Sequence, residues 1–195
     1  SETDGYYLIA SPVTETINPD DIEGMTTGTY DLYYFDQSGD GEGHEWINHK
    51  ANPFNLQPGK GYLYAKSTDV TLSFTGTALD AEQYSVDIEY DGDSDFAGWN
   101  LIGNPYATEA TLDQPFYRLN PDGNALNATT EEGTVNAMEG VFVMATAATT
   151  AAVFTPGANN GDGIAQANIN VSRNRGTVID NAIIRFDGGA TLPKF

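Results

Sequence analysis

Gly98-Trp99-Asn100-Leu101-Ile102-Gly103-Asn104-Pro105 restates, 93 positions later, the pattern of Gly5-Tyr6-Tyr7-Leu8-Ile9-Ala10-Ser11-Pro12. Each stretch is a short apolar strand entered through glycine and left through proline, and its recurrence is the mark of an internally repeated chain. In both copies one parity carries an aromatic and a leucine while the other carries Ile9 or Ile102. Both faces are therefore expected to be covered, and these strands are predicted to be central in their sheets.

Working outward, further matches keep the same order. Tyr30-Asp31-Leu32-Tyr33-Tyr34-Phe35-Asp36 echoes Gln114-Pro115-Phe116-Tyr117-Arg118-Leu119-Asn120, and Lys60-Gly61-Tyr62-Leu63-Tyr64-Ala65 corresponds to Glu139-Gly140-Val141-Phe142-Val143-Met144. Phe74-Thr75-Gly76 corresponds to Phe154-Thr155-Pro156-Gly157, and Ser85-Val86-Asp87-Ile88-Glu89 to Asn168-Ile169-Asn170-Val171-Ser172. The offset falls from 93 to about 80, which predicts an insertion of about a dozen residues in the first copy, roughly Gln37 to Lys50. The resulting division is a first β-unit over 1–97, with its repeat proper over about 5–90, and a second over 98–173. A tail over 174–195 adds an edge strand, Val178 to Phe186, and begins a continuing segment.

Hydrophobic periodicity is two almost throughout, as in Val70, Leu72 and Phe74 or Tyr84, Val86, Ile88 and Tyr90. Glycine (21) and proline (9) break the chain into short runs, and no capped run at 3,4 spacing occurs. The expected class is all-β: a β-sandwich-like architecture of two divergent tandem copies of one β-unit, without substantial helix.

Charge narrows the partners. With 28 acidic against 8 basic residues the net charge is −20, which repels phosphate backbones and anionic lipid surfaces. Nucleic acid and membrane insertion are not expected. No cysteine is present, so disulfides, thiolate zinc sites and cysteine nucleophiles are all excluded.

Catalytic constellations fail on spacing. His44-Glu45-Trp46-Ile47-Asn48-His49 resembles a zinc-protease helix, but histidines five apart stand about 140° from each other around a helix. No Gly-x-Ser-x-Gly elbow occurs, and so many carboxylates mark no acid pair. The expectation is a chain that is not an enzyme. Asp36, Ser38, Asp40 and Glu42, with Glu45 as a nonstandard closing ligand, resemble the first half of a calcium loop; position 12 of such a loop falls on Ile47, where a bidentate Glu is required. The same Asp- and Gly-rich run is also what a plain solvated hairpin turn requires, so this sequence fixes no cofactor and offers calcium as the candidate. Asp91-Gly92-Asp93-Ser94-Asp95 and Asn159-Asn160-Gly161-Asp162-Gly163 are further oxygen-rich stretches that read first as turns. Trp46, Tyr62 and Tyr64 are the candidates for a sugar-stacking platform, set against the ordinary use of alternating aromatics as core.

The chain resembles modules near the C-termini of large secreted and cell-surface proteins of Bacteroides-type bacteria. The resemblance rests on Tyr30-Asp31-Leu32-Tyr33, Glu45-Trp46, Gly59 to Ala65, Gly98 to Pro105, Asn136 to Val143 and Leu192-Pro193-Lys194-Phe195. It implies a secreted or cell-surface location, with the remainder of its own polypeptide as a partner and a further β-rich segment beyond Phe195. The function expected is a noncatalytic module for adhesion or scaffolding that contacts a host or matrix protein. The alternative is a carbohydrate-binding accessory module, calcium-assisted, of a secreted hydrolase.

Overall fold

The structure, a computed structural model, describes residues 6–39, 42–129, 131–157, 164–174 and 177–187, the last two stretches as backbone strands. It is all-β. Among the described residues fourteen strands follow in order: β1 (Tyr7–Ala10), β2 (Asp31–Phe35), β3 (Trp46–Asn48), β4 (Gly61–Ala65), β5 (Tyr84–Asp87), β6 (Trp99–Gly103), β7 (Ala110–Leu112), β8 (Tyr117–Leu119), β9 (Leu126–Ala128), β10 (Gly133–Val135), β11 (Gly140–Met144), β12 (Ala151–Pro156), β13 (Ile164–Asn174) and β14 (Thr177–Asp187). The one helical turn among the described residues is Pro19–Asp21, capped by the Asn18 side chain, which accepts from the Asp20 amide at 3.0 Å.

Two four-stranded antiparallel sheets have the same topology, β1-β4-β2-β3 and β6-β11-β8-β9. Their registers correspond strand for strand. Leu8 faces Leu63 as Leu101 faces Phe142, and Tyr33 faces Leu63 as Tyr117 faces Phe142. Phe35 faces Trp46 as Leu119 faces Leu126. The joint between the sheets is reciprocal as well. Ile9 bridges Glu139 while Ile102 bridges Lys60, and the Ala10 amide donates to the Met138 carbonyl as the Gly103 amide donates to Gly59, both at 2.9 Å.

Two expectations are corrected here. Residues 37–50 are not an insertion, because they contain β3, the partner of β2 that corresponds to β9. The extra length lies mainly between β1 and β2: Ile9 and Tyr33 stand 24 residues apart, their counterparts Ile102 and Tyr117 only 15. The chain spends it on the Pro19–Asp21 turn, where a loop can lengthen without disturbing a sheet. Nor are β1 and β6 central; each is the first strand of its sheet order. The joint closes their free edge, where Ile9 bridges Glu139 and Ile102 bridges Lys60, while on β1 the face that carries Tyr7, 43% exposed, stays partly open.

The period-two pattern sorts the strands' side chains into three cores. Leu8, Phe35, Leu63 and Trp46 of the first sheet meet Leu101, Phe142, Trp99, Tyr117 and Leu119 of the second. The opposite parity of the first sheet, Leu32, Tyr62 and Tyr64, packs against Val13, Ile17, Ile22, Leu56, Leu72 and Phe74. In the second sheet Ile102, Val141 and Val143 pack against Ala110, Leu112, Val135 and Phe154, which belong to a third sheet of order β10-β7-β12-β5. Burial of each large apolar side chain contributes about 1.5 to 3 kcal/mol.

β5 ends the first repeat in sequence yet forms the edge of that third sheet, pairing Ser85 with Val153 and Val86 with Ala152. The connection that follows is held by Gln37. Its amide nitrogen donates to the Glu89 carbonyl at 2.9 Å, its carbonyl accepts from the Asp91 and Gly98 amides at 3.0 Å each, and its backbone carbonyl accepts from the Ser94 hydroxyl. Asn104, fully buried, does the same for the second half, donating to the Thr108, Val135 and Asn136 carbonyls and accepting from the Tyr106 amide. β14 pairs antiparallel with β13 across Ile164–Asp187 in a two-stranded sheet.

Candidate functional site

A cleft of about 370 Å³ opens between the Pro19–Asp21 turn, the 27–30 turn and the 49–55 loop. Tyr30 forms its buried floor, while half-buried His49 and Phe54 form a wall, their rings edge to face at 5.0 Å. Asn18, Asp20, Asn55 and Lys50 supply the polar rim.

The local chain explains the arrangement. The capped 3-10 turn projects Asp20, whose carboxylate accepts from the Thr27 hydroxyl at 2.7 Å and from the Tyr30 hydroxyl at 3.4 Å. Burial, with the Asp20 carboxylate adding to it, pushes the Tyr30 phenol up to about 12. Tyr30 consequently stays a neutral donor. Lys50 is held at 2.7 Å by Asp31 at the rim, and at nearly half exposure this pair contributes little stability. The site thus combines aromatic edges with fixed amide, carboxylate and ammonium groups, which suits recognition of a small polar ligand carrying an apolar face.

Tyr62 and Tyr64 are not a platform. They are 1% and 4% exposed, on the core parity of β4, and no ligand ring can stack on them there. Tyr62 instead builds the cleft from behind. Its ring stacks on Phe54 at 5.7 Å, and its hydroxyl accepts from the Gln57 amide at 2.8 Å and donates to the Asn55 carbonyl at 3.4 Å. Trp46 is half-buried between the sheets, edge-on to Phe35 at 5.2 Å and Phe142 at 6.0 Å.

Of the calcium candidates, Asp36 and Ser38 lie together in a turn: the Asp36 carboxylate accepts from the Ser38 amide at 3.0 Å and its hydroxyl at 2.7 Å. Glu45 closes the same hairpin, its carbonyl accepting from the Asp36 amide at 2.8 Å, with one carboxylate oxygen buried. Glu42 is exposed, and Asp40 lies outside the described residues. Among the described residues no group of three or more His, Asp or Glu side chains could hold a metal ion. The Asp91 carboxylate is used in its own turn by the Asp93 amide, and Asn159 to Gly163 lie outside the described residues.

The cleft was not visible in the sequence because its walls come from three separate stretches. His49 was the one signal available there. The fold and this cleft define an antiparallel β-protein in which two corresponding sheets are joined back to back by reciprocal backbone bonds. No family model matches the chain, and no curated protein and no solved structure is significantly similar to it.

Proposed function

We propose that this chain is a noncatalytic module of a secreted or cell-surface protein, serving adhesion or scaffolding. The observation that carries this reading is the use made of the repeated motifs. Gly98 to Pro105, Gly59 to Ala65 and Glu139 to Met144 are all spent on strands and on the reciprocal joint between the halves. They build the sheets and hold the two halves together. The acidic surface supports solubility outside the cell, and no helix among the described residues is long and apolar enough to cross a membrane. Host or matrix protein and the rest of its own polypeptide are the partners of this reading. The test is binding of the isolated module to cells and matrix proteins; complete absence of binding would leave an inert spacer.

The Tyr30–His49–Phe54 cleft favours a second reading, a glycan-binding accessory module. A glycan array run with and without calcium tests it. Signal that His49→Ala and Phe54→Ala abolish supports the cleft, while a blank array under both conditions removes the reading.

A further inference from the structure

The third sheet is completed by a strand from the other half of the molecule. β5, which precedes the Gln37-held connection, lies along the outer edge of β12 with Ser85 opposite Val153 and Val86 opposite Ala152. The segment corresponding to residues 151–154 in the first half is 71–74, in which Phe74 stands where Phe154 stands. Its inner side is paired in the same way. Ser73 exchanges both backbone bonds with Glu23, at 3.0 and 3.2 Å, as the Val153 carbonyl accepts from the Asp113 amide at 3.1 Å. By strand alternation the backbone groups of Leu72 and Phe74 face the opposite edge, and there they bond no backbone group among the described residues. Their side chains are 6% and 4% exposed, so a built core ends at an open edge.

We infer that residues 168–171 of β13 occupy this edge, antiparallel to 71–74 with Asn168 opposite Ser73 and Ile169 opposite Leu72, completing a reciprocal strand exchange. The joint already repeats itself in its bridges, in the Ala10 and Gly103 amide bonds and in register. The strand that would repeat β5 is the one whose sequence matches it, with Ile169 and Val171 in the places of Val86 and Ile88, which are 8% and 3% exposed in their core. Size matches across the joint as well. A Cβ on Gly59 would stand 2.9 Å from the Tyr84 ring and 3.0 Å from Val86. In the corresponding place the large residue is Met138 and the small one Ala167, so the volumes are exchanged between partners. The chain is long enough. Phe154 and Asn168 are separated by 14 residues, against 11 between Phe74 and Ser85 for the crossing already made. β13 pairs with β14 along one edge, which leaves its other edge for docking.

The absence of native cysteine makes the test direct. Val153 turns its backbone bonds away from β5, so its counterpart Ser73 would form a close, non-hydrogen-bonded pair with Asn168, about 4.5 Å between Cα atoms and suited to a disulfide. Ser73→Cys with Asn168→Cys should cross-link within the monomer on mild oxidation, while Ser73→Cys with Asn170→Cys should do so far less. No cross-link in the first pair, or one found only in covalent dimers, overturns the inference, the latter assigning the edge to a second copy. Hydrogen exchange of the intact chain gives an independent reading. The Leu72 and Phe74 amides should exchange at least about tenfold faster in Ile169→Pro than in the parent, with β4 and β11 unchanged. Equal rates at those two amides in parent and variant overturn it too.

Discussion

Gly59 and Met138 hold corresponding positions on the two sides of the joint, and both take a left-handed backbone, at φ 80° and 60°. Each offers its carbonyl to the other half, Gly59 to the Gly103 amide and Met138 to the Ala10 amide, both at 2.9 Å. Met138 is the one described non-glycine residue with positive φ. The strain is sustained by the reciprocal bond and by burial of its side chain, 8% exposed in the first core.

Gly59→Ala should therefore lower stability by about 2 to 3 kcal/mol, the left-handed penalty of about 1 to 2 kcal/mol being joined by contact with Tyr84 and Val86. Met138→Gly should also destabilise, since about 1.5 to 3 kcal/mol of burial outweighs the relieved strain. Chemical denaturation measures both, and a more stable Met138→Gly would show that its side chain is not packed.

Gln37→Ala leaves the Glu89 carbonyl and the Asp91 and Gly98 amides without their partner. A loss of about 2 to 4 kcal/mol is expected in urea melts, at about 0.5 to 1.5 kcal/mol per bond with the orphaned groups added. Gln37→Glu, which keeps both acceptor bonds, should fall between the parent and Gln37→Ala; equal stability of all three would deny the clasp.

Trp99 rests on Tyr117 at 4.8 Å and Phe142 at 5.6 Å but is only half-buried. Trp99→Ala should cost about 2 to 4 kcal/mol, somewhat under the penalty for a fully buried aromatic. An unchanged thermal melt would remove it from the inter-sheet core.

Tyr62, Tyr64 and Tyr30 are each pushed up to about 12, chiefly by burial. The unfolded phenols ionise near 10, so between about pH 10 and 12 the unfolded chain releases protons that the folded chain retains. Stability is full below pH 10 and falls as pH rises toward 12. Tyrosinate absorbance should show Tyr30, Tyr62 and Tyr64 titrating late, with Tyr106 shifted in the same direction by burial, and a single transition near 10 in the folded protein would contradict this.

Glu15 is held below the usual carboxylate range, first by the Thr77 hydroxyl at 2.6 Å and then by the Thr77 amide at 2.8 Å. A depressed value stabilises above the unfolded pKa and is lost as pH falls through the folded one. In an NMR titration Thr77→Val should move Glu15 back up toward its ordinary value; no movement would assign the shift elsewhere.

Much of the fold was readable because side-chain parity is a local property. Alternation separated Leu63 from Tyr62 and Tyr64 before any pairing was known. Parity does not say which face stays wet, and in β4 neither does, so the proposed tyrosine platform became core. The loop lengths misled for a related reason. A falling offset shows that residues were added but not where, and only the pairing of Phe35 with Trp46 showed that 37–50 contains a strand.

By itself the sequence determined an all-β chain of short half-buried strands, its exclusion of cysteine chemistry, and the residues of each strand that share a face, since these depend on composition and a two-residue period. The tertiary structure alone decided that β5 crosses to the other half, that β1 and β6 stand at a joint, and that Asn18, Tyr30, His49 and Phe54 share one cleft. Those are relations between segments far apart in the chain. They are set by which apolar faces close on one another, a choice that no local pattern encodes.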